Sequence, residues 1–306
     1  MYIQPGSKVA FLGPVGTYSH QAVIQAFGIP SAHQYELVDK RSIKGCLTCL
    51  VNDEVDYAVV PLENSTNGNV NFTWDALRDL FHKVEHDQSK GVPVKDIKMG
   101  IVGEEFVGIK HCLITEAPSL DKIKRVYSHP QVWGQVDWWY HENLNGVEQL
   151  DCPSTSAAVE MVKGDPTSAA IASISASYTH NVPVLVPNIS NSDTNETRFL
   201  VFSKEKRDKL YKGDEYNTII SFAVEHEHPG SLCRVLESFA KQNVNLSNIQ
   251  SRPQPLGSTP WTYIFFLELH GHETDGEVNA ALEDARVHCT EMHILGSFKR
   301  NRAIRN

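Results

Sequence analysis

A polar stretch at residues 203–217, "SKEKRDKLYKGDEYN", separates two regions whose apolar residues follow different patterns. Before it, strand-like and helix-like segments alternate. "KVAFLG" reads as a strand. "TYSHQAVIQAFG" reads as a helix capped by Thr17 or Ser19 and stopped by Gly28. "YELVD" and "VDYAVVP" are strands around a helix at 41–53, and "FTWDALRDLFHKV" is an amphipathic helix with Trp74, Leu77, Leu80 and Phe81 on one face. Residues 87–98 are polar, carry Gly91 and Pro93, and read as an exposed loop or insertion. Strand "FVGIKHCLIT", strand "IKRVYS", helix "PQVWGQVDWWYHEN", helix "STSAAVEMVKG", strand "SAAIAS" and helix "ISASYTH" follow. The region closes on "SDTNETRFLVF", a polar run leading into an apolar strand. Such alternation predicts an α/β fold with largely parallel sheets.

After residue 217 the order changes to strand, helix, strand, strand, helix, strand. "NTIISFAVEH", "GSLCRVLESFAKQN", "VNLSNIQSRP", "WTYIFFLELHG", "DGEVNAALEDARVHC" and "EMHILGSF" are the segments. That is the βαββαβ order of a ferredoxin-like α+β module. The predicted domains are 1–212 and 213–306. The first is expected as two lobes, about 1–103 with 190–212, and 104–189.

The net charge of −9 and the lack of a basic or aromatic–basic stripe argue against a nucleic-acid surface. No apolar run approaches membrane-spanning length, and "MYIQPGSK" lacks the pattern of a signal peptide, so a cytoplasmic protein is expected. Cys46 and Cys49 have redox-motif spacing but sit inside a helical run, where packing is the simpler role. No second Cys or His pair completes a zinc motif, so neither metal nor cofactor is expected.

Several polar clusters stand at strand or helix ends. "GPVGT" at 13–17 has neither the P-loop nor the dinucleotide glycine spacing. It is either a tight turn or an anion site at a helix start. In "VVPLENSTNGNVN", Glu63, Asn64 and Ser65 crowd the end of an apolar strand, where α/β sheets bind ligands; turn and capping chemistry is the alternative. His129 in "YSHPQ" and Ser154, Thr155 and Ser156 in "CPSTSAA" occupy comparable places. The serines and threonine either cap their helix or receive an anion. Thr197 and Arg198 pose the same choice at the start of the "FLVF" strand.

Taken in order, "GPVGTYS", "VPLENSTNGNV", "YSHPQ", "STSAA", "AAIAS", "NETRF" and "PGSLCRVLESFAKQNVNLSNIQSRP" resemble prephenate dehydratases with a C-terminal ACT regulatory domain, across roughly residues 7–298. The resemblance implies a bilobal catalytic part like type II periplasmic binding proteins, plus the βαββαβ module. It implies Thr197 as the catalytic group, with Arg198, Glu63 and Asn64 beside it. Ser65, His129, Ser154, Thr155 and Ser156 become substrate-binding candidates. Gly230, Ser231, Leu232, Asn248, Gln250, Ser251, Arg252 and Pro253 become the site for phenylalanine. Prephenate is the implied substrate, no cofactor is required, and pairing of ACT domains implies a homo-oligomer. The chain departs from the family in "QSRP", where Gln250 replaces an acid, in "GSLC", in the aromatic-rich "VWGQVDWW", and in the 87–98 insertion. Only seven residues precede Lys8, so no chorismate mutase segment is expected there.

Prephenate loses its ring carboxylate as carbon dioxide and its ring hydroxyl as hydroxide. Aromatisation drives the reaction, but the hydroxide needs a hydrogen-bond donor, which a hydroxyl such as Thr197 can supply. Strand alternation is expected to turn Arg198 away from Thr197. Glu63 would serve as general acid only with a raised pKa. Arogenate dehydratase and a non-catalytic amino-acid sensor are the competing readings.

Overall fold

A computed structural model describes residues 1–82, 97–204, 215–255 and 259–301. Most of the expected 87–98 loop, most of the polar stretch and the expected domain boundary at 212 lie outside these residues. The chain divides into two compact units. One is Met1–Cys46, Val59–Asn69 and Phe106–Phe199; the other is Leu47–Ala58, Val70–Glu105 and Leu200–Asn306.

The first sheet contains β1 (Lys8–Leu12), β2 (Glu36–Lys40), β3 (Tyr57–Asn64), β4 (Gly68–Asn69), β5 (Gly100–Gly108) and β11 (Glu196–Ser203), in the order β2-β1-β3-β11-β5 with β4 beside β3. Helix α1 (Tyr18–Phe27) follows β1; Thr17 caps it by accepting from the His20 N–H, and Gly28 ends it at φ +81°. Helix α2 (Pro30–His33) leads into β2. Helix α3 (Ile43–Val51) buries the thiols of Cys46 and Cys49. β3 runs past Pro61 to Asn64 and folds back as β4, so Glu63 and Asn64 belong to a hairpin rather than to a loop.

Residues 106–115 form two strands, not one: β5 ends at Gly108 and β6 (Cys112–Ile114) begins a different sheet. That second sheet has the order β10-β6-β9-β7-β8, with β7 (Arg125–Ser128), β8 (Glu148–Asp151), β9 (Ser168–Ala172) and β10 (Val184–Val186). The expectation of largely parallel sheets holds here only for β9-β7 and β7-β8; β10-β6 and β6-β9 are antiparallel. Parallel neighbours need a crossover helix. Helix α5 (Trp133–Asn143) joins β7 to β8 and α6 (Thr155–Val162) joins β8 to β9, whereas β6 enters directly from β5. β9 is buried along its whole length because Val136 and Tyr140 of α5 cover one face with Ala169 and Ile171, while Ala158 and Val159 of α6 cover Ala170 and Ala172. A run buried on both faces reads as continuous small apolar residues, as "SAAIA" does. Helix α7 (Ile174–His180) follows with Ser173 as its cap.

The third sheet is antiparallel, with the order β13-β14-β12-β15, and realises the βαββαβ module: β12 (Tyr216–Ala223), α8 (Ser231–Lys241), β13 (Leu246–Pro253), β14 (Tyr263–His270), α9 (Gly276–Arg286) and β15 (Glu291–Lys299). Val235 and Phe239 of α8 and Val278 and Leu282 of α9 pack on Ile220, Phe222, Leu267 and Leu269. The other face is also covered. Helix α4 (Asn71–Phe81) sets the Trp74 ring 5.0 Å from that of Phe266, and His82 Nε2 lies 2.8 Å from Ser221 Oγ. Truncating a buried aromatic such as Trp74 to alanine costs about 3–5 kcal/mol. Gly296, at a bulge in β15 with φ +151°, approaches the Ile101 backbone so closely that a Cβ would collide with main-chain atoms.

Candidate active site

Asn64 is the hub of the first unit's polar cluster. Its Oδ1 accepts from the N–H groups of Thr66 (2.9 Å) and Asn67 (2.8 Å), the local turn that an Asn at a hairpin end favours. Backbone N–H groups can only donate, so the amide orientation is fixed: Nδ2 points the other way. Its two protons face three acceptors, Asn195 Oδ1 (2.8 Å), Thr197 Oγ1 (3.0 Å) and the Glu196 carbonyl (3.1 Å), so one proton is shared between two of them. Thr197 Oγ1 is thus an acceptor from Asn64. Its own proton has no acceptor among the described residues, and the side chain is half-exposed. The sequence brings a hydroxyl to the start of β11; the fold leaves its hydrogen available to a third party.

Ser65 zips the same segments together. Its N–H donates to the Glu196 carbonyl at 2.9 Å, its Oγ accepts from the Glu196 N–H at 2.9 Å and donates to the Thr194 carbonyl at 3.4 Å. Ser65 therefore holds the approach to Thr197.

Arg198 turns to the opposite face, as strand alternation requires. Its Nη1 donates to Glu63 Oε1 at 3.0 Å, and its guanidinium lies 5.9 Å from the Phe106 ring centre. Asn64 and Thr197 share one face; Glu63 and Arg198 share the other. The four residues expected as one catalytic group are two pairs on two faces of the sheet. Glu63 is an acceptor for a buried guanidinium, on the face away from Thr197.

The three hydroxyls at the start of α6 also divide. Ser154 Oγ caps the helix by accepting from the Ala157 N–H at 3.1 Å. Ser156 is fully buried; its hydroxyl lies 2.7 Å from the Val15 carbonyl and 2.9 Å from His180 Nε2. Ser156 thus pins the "GPVGT" loop, and Gly16, at φ +89°, has no room for a Cβ beside it. His129 Nδ1 accepts from the Gln131 N–H at 3.3 Å, and burial holds its pKa below the ordinary value, partly offset by Asp151. No hydrogen bond among the described residues links His129 or Ser154 to Thr197. A 330 Å³ groove lined by His20, Gln25, Tyr178 and Thr179 contains none of the candidate residues.

Two members of the cluster escaped the sequence reading. Asn195, which stands in the quoted "NETRF", is buried and donates to Gln135 Oε1 at 2.7 Å. Gln135 lies in α5, where nothing in helical periodicity distinguishes it from a solvated glutamine.

In the second unit, the expected effector residues separate in the same manner. Gln250 pairs directly with Phe266, whose ring meets Trp74, so Asn248, Gln250 and Arg252 face α4. Ser251 pairs with Phe265 on the α8 and α9 face. Pro253 shares that face with Ser251. Gly230, at φ +81°, precedes α8, and Ser231 and Leu232 form its first turn. An indentation of about 200 Å³ between α8 and β13 is lined by Leu236, Leu246, Ser247, Asn248, Ile249 and Leu267. His82, far away in sequence, meets Glu291 and His293: one Glu291 oxygen lies 2.8 Å from His82 Nδ1 and the other 2.6 Å from His293 Nε2. No helix among the described residues is long and apolar enough to cross a membrane.

A two-sheet α/β part followed by a βαββαβ module, with a hydroxyl–amide pair at the strand ends, defines an α/β enzyme with an appended small-molecule-sensing module. Residues 9–207 match the family model for prephenate dehydratase, and residues 218–287 match that of the ACT domain. The chain belongs to the prephenate dehydratase family and carries a C-terminal ACT domain. It is 34% identical to a protein of Saccharomyces cerevisiae described as a probable prephenate dehydratase, over 96% of both chains. It is 34% identical to the bifunctional chorismate mutase/prephenate dehydratase of Aquifex aeolicus, covering 95% of this chain and 73% of that one. The structure of the Arthrobacter aurescens prephenate dehydratase in complex with L-Phe superposes with a TM-score of 0.82 at 28% identity, covering 96% of this chain and 90% of that one.

Proposed function

We propose that the protein converts prephenate to phenylpyruvate, carbon dioxide and water, with Thr197 as the donor to the leaving hydroxyl. The ring carboxylate leaves as carbon dioxide and its bonding electrons enter the ring. The ring carbon opposite expels hydroxide, which takes a hydrogen bond or proton as it departs. The observation that carries this reading is the bond from Asn64 Nδ2 to Thr197 Oγ1. It occupies the hydroxyl as an acceptor and so aims its proton outward, where it stabilises charge that develops only in the transition state. A hydroxyl that donated into the protein could not do this.

In this reading Asn64 touches and orients the donor, while Glu63 and Arg198 stiffen the strand pair behind it. Ser154, Thr155 and the first N–H groups of α6 receive a substrate carboxylate, and His129 supports that end of the site. The ACT module binds L-phenylalanine against α8 and β13, where the indentation offers an apolar lining with Asn248 at its edge, and lowers turnover. β13 is an edge strand with Ile249 exposed, which suits pairing of two ACT modules in a homo-oligomer acting in the cytoplasm.

The test is incubation with prephenate at neutral pH and detection of phenylpyruvate by its absorbance in alkali. Arogenate is offered in parallel, with phenylalanine as the product sought. Phenylpyruvate formation that stops with Thr197→Val supports the proposal. Phenylalanine from arogenate alone would reassign the substrate, and no turnover of either would leave a sensor.

A further inference from the structure

A chain of side chains, buried at His111 and Asn195 and half-buried at the other links, runs from α1 to Thr197 and has a polarity that the backbone dictates. Asn64 Oδ1 is consumed by two backbone N–H donors, so Asn64 Nδ2 must donate to Asn195 Oδ1. Asn195 Nδ2 must then be the donor to Gln135, at 2.7 Å. That contact is to Gln135 Oε1; a flipped amide would set two N–H groups against each other. The opposite end of the Gln135 amide agrees, because Nε2 donates to the Gln131 carbonyl at 2.9 Å. Gln135 Oε1 also meets His111 Nε2 at 3.0 Å. An oxygen there can only accept, so His111 carries its proton on Nε2. His111 Nδ1 is left as an acceptor, and it shares the single Tyr18 hydroxyl proton, at 3.2 Å, with the Lys110 carbonyl at 3.0 Å.

We propose that His111 is a positioning residue for the dehydration: its Nε2–H fixes the Gln135 amide, which through Asn195 and Asn64 holds the Thr197 hydroxyl as an acceptor from Asn64 and so aims its proton at the substrate. The inference rests on the reading of Thr197 given above.

The ring is well placed for the task. His111 is 1% exposed, its N–H is held by Ser190 Oγ at 2.9 Å, and its carbonyl accepts from the Ile189 N–H at 2.8 Å. The Tyr18 ring stands edge-on to it at 5.8 Å. Burial lowers the His111 pKa and keeps the imidazole neutral at working pH. Gln135 presents one acceptor oxygen to two donors. Loss of the His111 donor frees the amide to rotate and face Asn195 with the wrong end. That reversal passes along the chain, since each amide has one donor end and one acceptor end.

Two measurements on the full chain test this. The first needs no substrate. With ¹⁵N-labelled histidine, the His111 ring is expected to be protonated on Nε2 and bare on Nδ1 near pH 7; a proton on Nδ1 alone overturns the proposal. The second separates donor geometry from packing. The His111→Gln amide nitrogen can reach the place of Nε2, whereas His111→Asn can reach only that of Nδ1. His111→Asn is expected to lower kcat about tenfold or more at nearly constant KM, and His111→Gln to recover most of it. Equal loss in both variants marks a merely structural histidine, and no loss in either overturns the proposal outright. If neither variant folds, the tautomer of the native protein decides. A wild-type protein without dehydratase activity refutes the reading of Thr197 instead, while the tautomer still tests the chain.

Discussion

Asp75 and Arg252 clasp each other through two hydrogen bonds, Arg252 Nε to Asp75 Oδ1 at 2.7 Å and Nη2 to Oδ2 at 2.9 Å. Asp75 lies on α4, and Arg252 in the "QSRP" strand of the ACT module. Arg78 joins them, donating to Asp75 at 3.0 Å and to the Pro253 carbonyl at 2.9 Å. The helix that begins just after the Asn64 hairpin is thereby tied to the strand expected to sense phenylalanine. Two planar groups bonded in parallel tolerate little relative sliding.

If this clasp carries regulation, Asp75→Asn should weaken inhibition by L-phenylalanine about fivefold or more, a coupling of the usual size. Uninhibited turnover should stay near that of the wild type. Inhibition curves at fixed prephenate check this, and an unchanged half-inhibiting concentration would place the coupling elsewhere.

Thr197→Val keeps the shape of the side chain and deletes both its bond from Asn64 and its free proton. Turnover should fall by roughly 10²–10³, the usual cost of one transition-state donor. Thr197→Ser should retain much more. His129→Asn should cost less than Thr197→Val, because His129 shares no bond with the donor. Steady-state kinetics on variants with matched thermal unfolding give the ranking.

Glu63→Gln removes a carboxylate that accepts from the buried Arg198 guanidinium. The folded state should lose about 1 kcal/mol, measurable in urea, because Glu63 is 33% exposed and solvent screens the pair. Replacing both, as in Glu63→Gln with Arg198→Met, should recover part of that loss. A folded double variant should also turn over faster than Thr197→Val. If it is as inactive, the ion pair belongs to the chemistry after all.

Glu291 provides a pH signature. Burial alone would raise its pKa, but hydrogen bonds from His293 and His82, and their charge, bring it to about 2. A carboxylate with a depressed folded-state pKa stabilises the fold fully above its unfolded value, near 4.5. The contribution fades as pH falls from there toward 2. The side chain is 44% exposed, so solvent screening keeps the effect modest. Denaturation of wild type and Glu291→Gln from pH 7 to 3 should show a stability gap that narrows with acid. A constant gap would contradict the assignment.

The order of strands and helices was legible because each element carries its own period. The misread segments are those where period is silent. "FVGIKHCLIT" looks like one strand, yet β5 stops at Gly108 and β6 starts at Cys112 in a different sheet. The pairing of the candidate residues was not legible. "ENS" and "TRF" lie on neighbouring strands, while alternation sends Glu63 and Arg198 to one face and Asn64 and Thr197 to the other. Asn248, Gln250 and Arg252 part from Ser251 for the same reason. Gln135 and His111 join the site only through tertiary contacts, and no local pattern records those.

Helix α4 lines one whole face of the regulatory sheet, with Trp74 on Phe266 and His82 on Ser221, and the β5 backbone at Ile101 leaves room only for a glycine at residue 296. The consequence concerns transplantation. A cut anywhere in 205–214 would leave Trp74 bare on one fragment and Phe266 bare on the other. The piece that could be moved to another scaffold with its sheet intact is the ACT module together with α4 and the start of β5, a graft discontinuous in sequence. Chimeras built at the polar stretch should aggregate, whereas those that carry α4 along should remain folded.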